Sequence, residues 1–492
     1  MRLGLSHARC QWPLTLGLLG SFLILPAEAA PVSPEARQFA EEYMVVLDDC
    51  RTEVEFTLEA ERRARAAGFR DLATIGEGER LKPGDKVYLR NHDRAIILAI
   101  VGSEPVSGGV NLLAGHIDSP RLDLKAHPVY TSEGFYQLQT YAFGGIKRYQ
   151  WVNIPLQLHC NWVDAAGRSH HEIIGDDRDE PTILIPDIEP HLSKDFQGRT
   201  YGDVIGPEET DPIIGLQSFK DKAWNAQDQP HPDEALPEVA EDELLAMLKP
   251  LLDGKTLTPT DLATGQFHLT PANEVRFCGY DQSMIAGYGQ DDRANSYPAM
   301  RAILDFDGIP TRTVMAYLVG QEEIGSVNNT GAGSTFLSHV IAILLEKDAV
   351  SPVPFGDNLL RATLQQSWVL STDTPPAINP IFDGVWEKGN AIRLGRGPSV
   401  LKWGSGRDAD PKFFAAVAAA WNEAGLAWQV APLGRNGAGG GGTIGGFMSS
   451  EGMEVLDVGV SVVSMHSPYE VISVEDLYGG YRLFSRFLTL SP

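Results

Sequence analysis

Cysteine is scarce in this 492-residue chain, which holds four in all. Cys10 lies near the N-terminus, leaving Cys50, Cys160 and Cys278, an odd set that excludes a disulfide framework and leaves room for one bridge in an oxidising compartment. Positive charge is in deficit: 40 Lys and Arg stand against 65 Asp and Glu, a formal net charge of -25. Nucleic acids and anionic membranes reward clustered Lys and Arg, so this balance argues against both and suits carboxylates gathered around cations. No apolar run is long enough to span a bilayer comfortably; the candidate from Leu14 to Leu25 is short and carries Gly17 and Gly20. Gly-x-Ser-x-Gly is absent, and no Cys has an evident His partner, so the usual nucleophile systems are missing. The glycine-rich run Gly437 to Gly446 lacks the Gly-Lys-Ser/Thr ending of a phosphate loop, and no internal repeat is apparent.

What is present starts with Arg2 and Arg9, followed by Leu14 to Leu25 and then Pro26-Ala27-Glu28-Ala29-Ala30. A basic stretch, a short apolar stretch and an Ala-x-Ala site form an export signal cut after Ala29, so the expected location is periplasmic or extracellular, with no membrane attachment after cleavage. Ser33 caps a helix that begins at Pro34 and reads as continuous to Gly68. Strand-like runs follow at Lys86 to Leu89, Ala95 to Val101 and Val110 to Gly115. From Asp123 to Cys278 strand-length pieces such as Gly134 to Thr140 and Pro181 to Ile185 alternate with polar, Pro-containing loops, and Gly206 to Asp242 reads as an acidic linker. Beyond Cys278 strands and helices alternate: helix Asn295 to Leu304, strand Thr313 to Val319, helix Ser334 to Glu346, strand Ser367 to Leu370, helix Pro411 to Ala424, strand Trp428 to Ala431, the run Glu454 to Met465 and helix Val474 to Leu488. The expectation is an α/β fold with a mixed, largely parallel sheet sandwiched by helices, and an inserted, mainly β second domain. The expected division is a signal over 1–29, a discontinuous catalytic domain over 30–122 and 279–492, and an insert over 123–278 for assembly and substrate gating.

Chemistry is concentrated at strand ends. His116, the pair Glu322-Glu323, Asp373 and His466 each follow an apolar run, so a parallel sheet would gather them along one edge. Asp291-Asp292 stands just before a helix, where a residue can lean over that edge. Two His and several carboxylates form a donor set suited to a pair of divalent ions, zinc among them.

These motifs resemble those of the aspartyl aminopeptidase and vacuolar aminopeptidase family, two-metal enzymes of the wider zinc-exopeptidase group. The family's His-Thr-Asp-Ser-Pro corresponds to His116-Ile117-Asp118-Ser119-Pro120, its Asp-Asn step to Asp291-Asp292, and its Glu-Glu-x-Gly-Ser to Glu322-Glu323-Ile324-Gly325-Ser326. Ser371-Thr372-Asp373 stands for Ser-Ala-Asp, and Met465-His466-Ser467 for Met-His-Ser. The resemblance implies two divalent ions per chain, zinc first with cobalt or manganese as alternatives. One would take His116 and Asp373, the other Glu323 and His466, and Asp291 would bridge them at a separation of about 3.5–4 Å. It further implies that Asp118 fixes the His116 tautomer, and that Glu322 is the general base and acid acting on a metal-bound water that attacks the peptide. Strand alternation would send Glu322 and Glu323 to opposite sides.

The segment around His191 resembles the one whose His enters the active site of a neighbouring subunit, which implies a large homo-oligomer, a tetrahedral dodecamer. Lys388 corresponds to a Lys near the substrate side-chain pocket, and Gly442-Thr443-Ile444-Gly445 to a turn that approaches substrate. Two departures bear on specificity. His466-Ser467-Pro468-Tyr469-Glu470 has Tyr469 where relatives carry Arg, and Phe143-Gly144-Gly145-Ile146-Lys147 loses the first Gly and the Trp of Gly-Gly-Gly-Ile-Trp. Losing a cation weakens the case for acidic N-terminal residues, while Lys388 and Lys147 keep it alive, so the side-chain preference is left open. The reading is thus an aminopeptidase acting on peptides; the alternatives are a catalytically silent oligomeric scaffold, or a carboxypeptidase or deacylase of the same group.

Overall fold

Four strands pair in parallel at the centre of the molecule, in the spatial order Thr313–Val319, Val110–His116, Trp368–Thr372, Glu454–Gly459. They belong to a nine-stranded sheet in a computed structural model that describes residues 32–216, 241–252, 254–351, 354–402, 408–438 and 441–491. The export signal expected over 1–29 and residues 217–240 of the expected linker lie outside the described residues. On one side the hairpin Lys86–Asn91 and Ala95–Ile100 adds antiparallel to Thr313–Val319, with Arg70–Asp71 at the edge. On the other, Ser399–Leu401 runs antiparallel to Glu454–Gly459 and pairs in parallel with Gln429–Ala431. The fold is therefore the mixed, largely parallel sheet anticipated.

These strands are apolar on both faces because helices cover both. Ile96, Leu98 and Ile100 join one core with Val314, Ala316 and Leu318, while Ala95, Ile97 and Ala99 join another with Met315, Tyr317 and Val319. The period of two sends alternate side chains into opposite layers, each a cluster of buried apolar residues. Helices Pro34–Asp49, Glu53–Ala66, Gln290–Leu304, Pro411–Glu423 and Val474–Leu488 fill the first; Phe336–Lys347 fills the second. Among the described residues no helix is long and apolar enough to cross a membrane. Cys50, Cys160 and Cys278 are free.

The mainly β character expected between 123 and 278 is carried by a six-stranded antiparallel sheet. Its order is Ser169–Ile174, Leu156–Val163, Gln266–Pro271, Arg121–Ser132, Phe135–Phe143, Ile213–Leu216, around its own core of Trp151, Leu156, Cys160 and Phe267. A third, four-stranded sheet joins Arg276–Cys278, Met284–Gly287, Glu470–Ser473 and Val462–Val463.

Four sequence expectations give way. Ile213–Leu216, inside the expected linker, is a strand paired with Phe135–Phe143. The helix read from Ser33 to Gly68 is two helices, because the chain turns at Arg51 to bury its guanidinium against the carbonyls of Pro271 and Asn273. Pro181 to Ile185 forms isolated bridges, not a strand. The run Glu454 to Met465 breaks after Gly459, where the Val460 N–H donates to Asn295 Oδ1 at 2.7 Å instead of continuing the ladder.

The helix Glu53–Ala66 grips the second sheet by its first turn. Arg121, buried, donates to Glu53 Oε2 at 2.9 Å, and His159 bonds Glu55. Arg121→Ala would leave the Glu53 carboxylate buried without its cation, and should cost about 3–5 kcal/mol, read as a lowered unfolding midpoint. Burial alone would raise the Glu55 carboxyl, but the His159 ring and the backbone N–H groups of Thr52 and Arg51 bring it down from 4.5 to about 2. A depressed carboxyl contributes stability above its unfolded value and loses it as pH falls through the folded one. The difference in unfolding midpoint between the parent chain and Glu55→Gln should therefore shrink as pH falls from 4.5 toward about 2.

Candidate metal centre

The parallel strands deliver side chains to one sheet edge. His116 is the last residue of its strand, Asp373 follows Trp368–Thr372, and Glu322 and Glu323 lie just beyond Thr313–Val319. Asp291 and Asp292 sit at the start of helix Gln290–Leu304 with non-helical backbone angles and a cis peptide between them. His466 arrives differently from expectation: it leaves the two-residue strand Val462–Val463 of the third sheet, because the preceding run had already ended at Gly459.

Asp291 occupies the middle. Its Oδ1 is 3.2 Å from His116 Nε2, and its Oδ2 is 3.1 Å from His466 Nε2. Asp373 Oδ1 lies 3.7 Å from His116 Nε2, and Glu323 Oε1 lies 3.5 Å from His466 Nε2. Two overlapping groups result, His116 with Asp291 and Asp373, and Asp291 with Glu323 and His466, their donor atoms within 4.8 Å of one another. A third group joins His116 with Glu322 and Glu323.

Buried hydrogen bonds hold these groups in place. Ser296 Oγ donates to the His116 carbonyl and Ser119 Oγ to the Asp291 carbonyl, each at 2.6 Å. Fully buried Arg293 donates to Ser119 Oγ and to the Arg51 carbonyl, which explains a cation directly after the Asp pair. The nearest partner of His116 Nδ1 is the backbone carbonyl of Asp118 at 3.0 Å, with the carboxylate at 3.4 Å. That carboxylate accepts the backbone N–H groups of Glu322 and Glu323, both at 3.1 Å. Strand alternation does not separate those two glutamates: Glu322–Ile324 is a 3₁₀ turn entered through left-handed Gln321.

The six side chains His116, Asp291, Glu322, Glu323, Asp373 and His466 line a cavity of about 710 Å³, as do Gly442 and Thr443. Two other candidates stand elsewhere. His191 is exposed and does not line the cavity of its own chain, and exposed Lys388 pairs with Asp383. The remaining wall includes Pro376, Leu401, Leu433, Phe447 and Met465, and no Lys or Arg among the described residues lines it.

The profile of the Aminopeptidase I zinc metalloprotease (M18) family matches residues 46–488. The chain belongs to the M18 family of aminopeptidases. A relative in Clostridium acetobutylicum, described as a probable M18 family aminopeptidase 1, is 34% identical over 450 residues, which is 90% of this chain and 92% of the relative. The crystal structure of an M18 aminopeptidase from Thermotoga maritima superposes with a TM-score of 0.83 at 31% identity, covering 93% of this chain and 97% of that one. A Saccharomyces cerevisiae mApe1 dodecamer, 19% identical, shares the fold with a TM-score of 0.71 over 92% of this chain and 97% of its own. This M18 protein is thus a metalloaminopeptidase, a peptide hydrolase.

The family's zinc suits the residues found. Glu323 Oε1 is buried without a hydrogen bond, and imidazole nitrogens converge with carboxylate oxygens on one point, a donor set for zinc. Charges in the cluster are unbalanced without a cation. Burial, then the neighbouring Asp373, pushes the Glu322 carboxyl up to about 8, and burial with Asp291 raises Glu323 well above its ordinary value. Burial opposes ionisation of Asp291 too, but its bonds to both imidazoles hold it below the ordinary carboxylate range.

Sequence reasoning overlooked two groups of this M18 centre. Buried Glu470 accepts the backbone N–H of His466 at 2.7 Å and of Asp291 at 3.3 Å, tying the two together. Its position four residues beyond His466 was the available signal. The Gly145 carbonyl accepts from His466 Nδ1 at 2.9 Å, and a backbone acceptor leaves no side-chain signature. Because Asp118 anchors the turn that carries both glutamates, Asp118→Asn, which turns one acceptor into a donor facing an N–H, should weaken zinc binding about 10–100-fold. Zinc competition against a chelator of known affinity checks this.

Proposed function

We propose that the enzyme removes N-terminal residues from peptides at a two-ion centre, with His116 and Asp373 at one ion, Glu323 and His466 at the other, and Asp291 shared. The observation that carries this reading is that the two oxygens of Asp291 face imidazole nitrogens belonging to two different donor groups. Bound zinc supplies Lewis acidity, lowering the pKa of water and polarising the scissile carbonyl. Glu322 lines the cavity and belongs to neither Asp291 group, which leaves its carboxylate free to take a proton from the attacking water and return it to the leaving amine. Asp118 keeps that carboxylate in reach by fixing the backbone of residues 322 and 323.

The apolar wall of Pro376, Leu401, Leu433 and Met465, together with a lining free of described cations, favours a neutral N-terminal side chain over Asp or Glu. Gly442 and Thr443 bring backbone and hydroxyl to the same space. His191, exposed on its own chain, acts in a neighbouring subunit's cavity, and the segment 123–278 serves as the assembly domain of a homododecamer. The first 29 residues direct export.

Glu322→Gln should lower kcat about 10²–10⁴-fold while zinc content stays unchanged. Unchanged kcat would remove Glu322 from the proton path. On a panel of aminoacyl substrates, Leu should exceed Asp in kcat/KM by about 10-fold or more; the reverse order would place a cation in the pocket.

A further inference from the structure

The second sheet reaches the metal centre through the turn Gly144-Gly145 that follows strand Phe135–Phe143. Gly144 has φ +76°, in the left-handed region. A Cβ there would stand 3.1 Å from Glu323 Cβ, 3.3 Å from Glu323 Oε2 and 3.3 Å from Pro120 Cα, closer than ordinary side-chain contacts. The next residue supplies the carbonyl that accepts from His466 Nδ1 at 2.9 Å. With that nitrogen protonated, the lone pair of His466 lies on Nε2, which faces Asp291 and Glu323. Both contacts fall on one donor group, Asp291 with Glu323 and His466.

We propose that Gly144 and Gly145 are positioning residues for the ion held by Glu323 and His466, and that through them the second sheet controls occupancy of that site separately from the site of His116 and Asp373. Gly144 gives Glu323 room to turn inward. The Gly145 carbonyl sets the tautomer and ring plane of His466, as acceptors behind metal-bound imidazoles do. The inference rests on the two-ion reading.

The test uses the full-length, zinc-loaded enzyme dialysed against a graded series of chelator strengths, with bound zinc counted by mass spectrometry. The parent should hold two ions. Gly144→Ala should release one of them at chelator concentrations about 10-fold lower or more, while the other follows the parent curve. Its profile should overlay that of Glu323→Gln and differ from that of Asp373→Asn. Gly78→Ala is the control: its φ lies outside the left-handed region and its Cβ would meet nothing within 4 Å, so both ions should follow the parent curve. Should Gly144→Ala not fold, Phe143→Leu removes the ring lying 3.9 Å from the Arg121 guanidinium without adding an atom, and should loosen the same ion. A parent holding fewer than two ions would overturn the two-ion reading itself. A parent holding two ions, with folded Gly144→Ala or Phe143→Leu releasing both on the parent's curve, would overturn this inference alone.

Discussion

One carboxylate between two imidazoles is the constraint on which the site depends. Asp291 meets His116 through one oxygen and His466 through the other, at 3.2 and 3.1 Å. Those histidines come from different sheets, so the contact requires the large sheet and the small third sheet to be seated correctly against each other. Much of the buried polar structure is explained by that requirement. Ser119 and Arg293 hold the Asp291 backbone from the side of His116, and Glu470 spans from the Asp291 N–H to the His466 N–H. A loose bridge would leave either ring without its partner.

Charge makes the same demand. Glu322, Glu323, Asp373 and Asp291 crowd a mostly buried edge where like charges repel at low dielectric. Burial drives Glu322 and Glu323 toward their neutral forms, and a bound divalent cation of the kind the family uses would favour their anions. Backbone anchoring holds the two glutamates, while the imidazoles of His116 and His466 hold Asp291. Asp118 grips two consecutive N–H groups, and the buried guanidiniums of Arg293 and Arg121 bond other partners, Ser119 and Glu53 among them. One cavity is lined by these acids and imidazoles and by the apolar side chains of Pro376, Leu401, Leu433 and Met465.

How much of this was legible depends on the kind of signal. Thr313–Val319 and Val474–Leu488 were readable to the residue, since an unbroken apolar run and a capped amphipathic helix are encoded locally. Four site residues, His116, Glu322, Glu323 and Asp373, were legible because strand ends in a parallel sheet share an edge. The break at Arg51 was not, because it answers to carbonyls of Pro271 and Asn273 more than two hundred residues away. His466 was assigned to the right site by the wrong route: the apolar run before it spans a strand break enforced by Asn295. Gly145 contributes a carbonyl that any residue would carry. The 3₁₀ turn at Glu322–Ile324 likewise escaped a strand-based reading, although Gly320 directly follows the last strand residue, Val319.

The central claim is that Asp291 is shared between two ions. Zinc-edge anomalous diffraction from crystals of the zinc-loaded enzyme tests it most directly. The account predicts two peaks flanking the Asp291 carboxylate, one beside His116 and Asp373 and the other beside Glu323 and His466. A single peak, or two peaks with Asp291 touching only one of them, would contradict it.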